Sequence, residues 1–129
     1  VGYGRTFVAE RPMRAGLVPL GYADGLPRSH SNRGALIVNG RRAPLIGRIS
    51  MDQCVVDLSD CGAVSEGAEA VMVGAQGSES IGIDDFAALS GTISYESLTS
   101  LGVRVPRVYR RGGLPTEVAY LDEGTIVAF

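Results

Sequence analysis

Residues 35–47, "ALIVNGRRAPLIG", set Asn39–Gly40 between two apolar runs. Asn-Gly is the pair that a two-residue hairpin turn favours, because both central residues need positive φ. The stretch predicts two antiparallel strands joined tightly, and the rest of the chain extends that pattern. Short strands are expected at residues 5–9, at 17–22 ("LVPLGY"), at 54–58 ("CVVDL") and at 70–74 ("AVMVG"). In "CVVDL" the apolar Val55, Val56 and Leu58 leave Asp57 at a strand edge or turn. Two short helices interrupt the strands: Asp84 is expected to cap one that Gly91 ends, and Ser94 to cap one that Gly102 stops. "VRVPRVY" (103–109) returns to strand, held at a sheet edge by Pro106. The tail "TEVAYLDEGTIVAF" (116–129) reads as a last hairpin turning at Asp122–Gly124. The predicted fold is mostly β, a compact barrel or sandwich with two short helices on one side.

Composition agrees with a single domain over residues 1–129. The chain is 45% hydrophobic and 20% charged, the balance of a soluble globule. Eighteen glycines and six prolines favour strands and turns over long helices. No apolar run reaches the length of a membrane span, and the first residues lack a signal-peptide layout. A net charge of −2 gives no basic footprint for nucleic acid. Cys54 and Cys61 suggest neither a disulfide framework nor a metal site, so buried thiols in a reducing cytoplasm are expected. All twelve basic residues are arginine. Without lysine, no side chain here can form a Schiff base with an aldehyde cofactor.

Conventional catalytic sets are missing from the sequence. His30, the one histidine, sits in the polar loop "PRSHSNRG" (27–34) and is expected to be solvated. Asp84 and Asp85 read as charges at a helix N-terminus rather than as acid–base partners. Two segments are more composed than ordinary loops. "GYADGLPR" (21–28) gathers Tyr22, Asp24 and Arg28 around glycine turns. "GRISMDQCVVDL" (47–58) places Arg48, Met51, Asp52 and Gln53 between strands. Both present polar groups from a scaffold, the way binding loops are built, although Asp24–Gly25 could be a plain turn and Met51 a core filler. Tyr3, between two glycines in "VGYGRTF" (1–7), reads locally as a strand-end ring covering the core.

Five motifs carry a resemblance that the residues alone do not supply. "VGYGRTF", "VPLGYADGLPR", "APLIGRISMDQCVVDL", "GTISYE" and "RVPRVY" occur in this order over about residues 1–110. In this the chain resembles the C-terminal β domain of pyridoxal-phosphate-dependent alanine racemases, without their N-terminal (β/α)₈ barrel. The tail, residues 111–129, falls outside the match. The resemblance implies interconversion of L- and D-alanine in a cytoplasmic, head-to-tail homodimer, with the isolated domain inactive. It implies that Tyr3 is an acid/base on one face of the substrate, reaching into a partner subunit's barrel. There it would take the Cα proton from L-alanine, while a barrel lysine on the opposite face takes it from D-alanine. Met51 would hold the substrate carboxylate through its backbone N–H, and Tyr95 would hydrogen-bond the cofactor phosphate in its own subunit. Tyr22, Arg28, Arg48 and Ile93 would line the narrow corridor to the site. Ser50 stands where some relatives carry cysteine. Two alternatives remain open: a racemase of the same architecture acting on serine or several amino acids, and a β-barrel module that binds without catalysis.

Overall fold

The computed structural model describes residues 1–121 and 123–128. Its strands are β1 (Ala15–Val18), β2 (Ala35–Val38), β3 (Arg41–Pro44), β4 (Cys54–Asp57), β5 (Ala70–Val71), β6 (Gly74–Gln76), β7 (Glu79–Ile81), β8 (Arg107–Arg111), β9 (Leu114–Tyr120) and β10 (Thr125–Ala128). Two helices, α1 (Ile83–Ser90) and α2 (Ser94–Thr99), lie between β7 and β8. The mostly β architecture with two short helices is the one the sequence predicts.

The Asn-Gly hairpin organises the core. Asn39 and Gly40 take φ of 53° and 68°, and β2 pairs with β3 from Ala35↔Pro44 to Val38↔Arg41. The turn is pinned from outside: Asn39 Nδ2 donates to the Cys61 carbonyl and Gly40 N–H to Gln76 Oε1. On its other edge β2 pairs with β5, making it the central strand of its sheet, and Leu36, Ile37 and Val38 are all buried, so both of its faces are covered. β4 alternates, with Cys54 and Val56 inward, and pairs antiparallel with β1. A bridge from Leu45 to Val56 joins the two sheets. Phe86 from α1 closes the core, which also holds Leu26, Ile49 and both cysteines. Burial pushes the Cys54 thiol up to about 12, so it stays protonated and inert.

Several boundaries differ from those expected, each for a local reason. Residues 5–9 form no strand. Positive φ at Gly2, Gly4 and Arg5 curls the start into a 3₁₀ turn over Tyr3–Arg5. The strand expected at 17–22 runs from Ala15 to Val18 and ends where Gly21–Asp24 turns back. "AVMVG" splits, because Gly74, at φ 130°, starts a new strand. The helix N-caps are Gly82 and Ile93, so Asp84 and Ser94 lie inside the first turns; Gly91 ends α1 in the left-handed conformation as expected. Strand β8 begins after Pro106 and sits at the edge of the β10-β9-β8 sheet. Strands β9 and β10 pair from Tyr120↔Thr125 to Glu117↔Ala128; of the turn between them, Asp122 lies outside the described residues.

His30 is also corrected. The 3₁₀ turn Arg28–His30 folds its ring beneath the surface, leaving it 2% exposed. Its Nε2 shares a hydrogen bond of 2.8 Å with Ser90 Oγ, and its ring stacks at a tilt on Phe86, 4.4 Å between centroids. Burial pushes the imidazole below its ordinary 6.5, and the nearby Arg33 charge adds to this against a backbone hydrogen bond at Phe86. Below pH 6.5 the unfolded chain then takes up a proton that the folded chain resists, so stability is lost as pH falls. A proton resonance of the His30 ring is expected to titrate with a midpoint below 6.5. A midpoint at or above that value would mean the ring is solvated.

Candidate functional site

Two turns that are distant in sequence meet beside the core. In the first, Asp24 N–H donates to the Gly21 carbonyl and Gly21 N–H returns a bond of 2.8 Å to Asp24 Oδ2. In the second, the Ser50 N–H and Oγ–H both donate to the Gln53 carbonyl, so Met51 and Asp52 form the outward tip. The turns are spliced backbone to backbone: Tyr22 N–H to the Ser50 carbonyl (3.1 Å) and Ala23 N–H to the Met51 carbonyl (3.0 Å). Only glycine permits this at position 21, since a Cβ there would lie 2.3 Å from the Met51 carbonyl oxygen. Met51 is half-exposed, which rules out the core-filler role. Among the described residues no acceptor takes its backbone N–H.

Tyr3 stands beside these turns, its ring 73% exposed, so it does not cover the core. Its place is set by Gly2, whose backbone packs so closely on Arg48 that a Cβ would come within 2.8 Å of the Arg48 nitrogen. Tyr3, Tyr22, Arg28 and Met51 line one cleft of about 460 Å³. Tyr3 and Arg48 also line an adjoining cleft of about 310 Å³. Arg28 is held by Ser31, whose hydroxyl donates to the Arg28 carbonyl and accepts from Ile49 N–H, tying this loop to the Arg48 segment. Ile93 and Tyr95, at the start of α2, are 63% and 76% exposed and line neither cleft.

The structure therefore brings together Tyr3, Tyr22, Arg28 and Met51, sets Arg48 beside them, and leaves Ile93 and Tyr95 outside both clefts. Chemically the cluster offers a phenol, a free peptide N–H and guanidinium groups, donors suited to a small anionic ligand. One participant escaped the sequence reading. Arg104 donates from Nε to Asp24 Oδ1 and pairs from Nη1 with Asp52 Oδ1, both at 2.8 Å. Partial burial raises the Asp24 carboxyl, but Arg104 and the Gly21 N–H outweigh it and hold it below the usual carboxylate range. The available signal was an arginine and two aspartates within three quoted motifs, with nothing in their spacing to pair them.

The sequence matches a family model described as the C-terminal domain of alanine racemase over residues 1–109. The chain is 45% identical over 113 residues to an alanine racemase of Clostridium kluyveri, covering 88% of the chain and 29% of that protein. Against one of Thiobacillus denitrificans it is 48% identical over 106 residues, 82% of the chain and 28% of the relative. The fold superposes on the crystal structure of the Bacillus anthracis alanine racemase with bound L-Ala-P at a TM-score of 0.88 and 37% identity. That likeness covers 95% of this chain and 31% of that one. The chain thus spans less than a third of the relatives it matches.

Proposed function

The chain belongs to the alanine racemase C-terminal domain family, and from that membership we propose that it forms half of the active site of a pyridoxal-phosphate-dependent racemase acting on alanine. The observation that carries this is Tyr3, exposed on its glycine-flanked turn in one cleft with Tyr22, Arg28 and Met51. A ring so placed can enter a pocket formed by another polypeptide surface.

The donor set suits the non-covalent side of pyridoxal phosphate. Tyr95 presents its hydroxyl for a phosphate oxygen from the exposed start of α2. The covalent attachment needs a lysine, which must come from the barrel domain because this chain has none. When bound, the cofactor supplies an electron sink for the charge left at the substrate Cα. Tyr3 Oη takes the Cα proton from L-alanine on one face and returns it in the reverse direction. Met51 N–H donates to the substrate carboxylate and so holds the substrate in the site. Arg28 and Arg48 lend positive charge to the approach of that carboxylate. Tyr22 and Ile93 narrow the corridor around it. Tyr95 does not line the Tyr3 cleft, which suits a head-to-tail dimer in which one chain gives Tyr3 to its partner's pocket and Tyr95 to its own. A cytoplasmic location is part of the same proposal, and no helix among the described residues is long and apolar enough to cross a membrane.

The test is reconstitution. Joined to its barrel domain, the chain is expected to interconvert L- and D-alanine with added pyridoxal phosphate. By itself it is expected to give no activity and no borohydride-fixed adduct on any side chain. An adduct on a side chain of the isolated chain, or a joined protein inert towards alanine, would refute the assignment.

A further inference from the structure

Two turns bearing proposed site residues converge on one guanidinium. Arg104 lies in the stretch between α2 and β8, and its two ion pairs reach the turn that carries Tyr22 and the turn that carries Met51. The same stretch packs on the first turn through Gly102, whose N–H donates to the Asp24 carbonyl. A Cβ at Gly102 would come within 2.1 Å of the Ala23 carbonyl oxygen, so the two backbones are in direct contact.

The splice through Tyr22 and Ala23 holds the inner ends of the two turns. Their outer ends are different. Asp24 uses both oxygens, one for Gly21 N–H and one for Arg104. Asp52, at the tip beside Met51, has Arg104 as its ion-pair partner and a side chain that is 63% exposed. This contact thus ties Asp52 from outside the turn, one residue beyond Met51, whose N–H lies in the Ser50–Met51 peptide. The Arg104–Asp52 pair is exposed, and exposed ion pairs contribute little to overall stability, which points away from a purely structural purpose for that contact. Their geometric effect is larger: a planar fork can hold two carboxylates at a set separation, where an ammonium behaves as a point charge.

We propose that Arg104 is a positioning residue: by bridging Asp24 and Asp52 it sets the Met51 turn against the Tyr22 turn and so aims the Met51 N–H at the substrate carboxylate. This rests on the role proposed above for Met51. It also predicts the kind of kinetic effect. A carboxylate contact made equally in the bound substrate and the transition state changes KM and leaves kcat alone.

The experiment uses the full-length protein with pyridoxal phosphate and the variants Arg104→Ala, Arg104→Lys and the double variant Arg104→Ala/Asp52→Asn. Amide hydrogen exchange, read by mass spectrometry, follows peptides covering residues 20–26 and 47–54. In Arg104→Ala both peptides are expected to exchange about five-fold faster, while the β2–β3 hairpin is unchanged. KM for alanine should rise about five-fold with kcat within about two-fold, and Arg104→Lys should fall between parent and Ala. The double variant should keep the raised KM. Recovery of the parent KM there would mean that Arg104 only neutralises Asp52, and unchanged exchange or a loss confined to kcat would equally overturn the proposal. A parent protein that does not racemise alanine would instead refute the functional assignment, leaving exchange to decide the clamp.

Discussion

Changing Tyr3 to Phe in the full-length protein is expected to lower racemisation in both directions by at least ~10²-fold, the scale of a positioned acid/base. The substitution keeps the ring that the Gly2 and Gly4 turn displays and removes only the hydroxyl. Both directions must fall together, because the overall equilibrium constant is fixed and each direction uses both bases. Proton exchange at Cα should fall unequally. With the barrel lysine intact, D-alanine should still take deuterium from heavy water into Cα, whereas L-alanine should exchange far more slowly. Nuclear magnetic resonance on each enantiomer reads this directly. Equal exchange from both, or full activity in the Phe variant, would leave Tyr3 with a steric role only.

The second large effect is structural. Gly21→Ala would place a methyl group 2.3 Å from the Met51 carbonyl oxygen and 2.5 Å from that of Ser50. Neither atom belongs to a flexible side chain, so the two turns must separate. Separation breaks the bonds from Tyr22 N–H and Ala23 N–H, adding two lost hydrogen bonds to the overpacking. Together these should cost about 3 kcal/mol. Gly82→Ala is the control: Gly82 has φ −72° and its nearest neighbour would be 3.5 Å away, so a change within about 1 kcal/mol is expected. Urea unfolding of parent and variants checks the pair. Equal effects at the two positions would show that the turns are not locked together as described.

His30, Arg104 and Gly102 show where sequence reading stops. The polar neighbours of His30 suggested solvent, yet its ring is covered by Phe86 and Ser90, which come from a helix some 60 residues further on. Gly102 looked like a helix stop, but its value lies in the backbone of Ala23 pressed against it. Of the seven residues to which the family resemblance gave a role, Tyr3, Tyr22, Arg28 and Met51 share a cleft, and that grouping could not be derived from their spacing along the chain.

By itself the sequence determined what one residue or a few neighbours can dictate. Positive φ demanded Asn39–Gly40 at the central hairpin and Gly91 at the end of α1, and the missing lysine removed covalent cofactor attachment from this chain. Only the tertiary structure decided that the Tyr22 and Met51 turns are spliced, that Tyr3 stands at their side, and that Arg104 reaches Asp24 across 80 residues of sequence. Local conformation is encoded in the steric limits of the residue itself. Close backbone approach and charge pairing depend on which distant partner the packed core brings within a few ångströms.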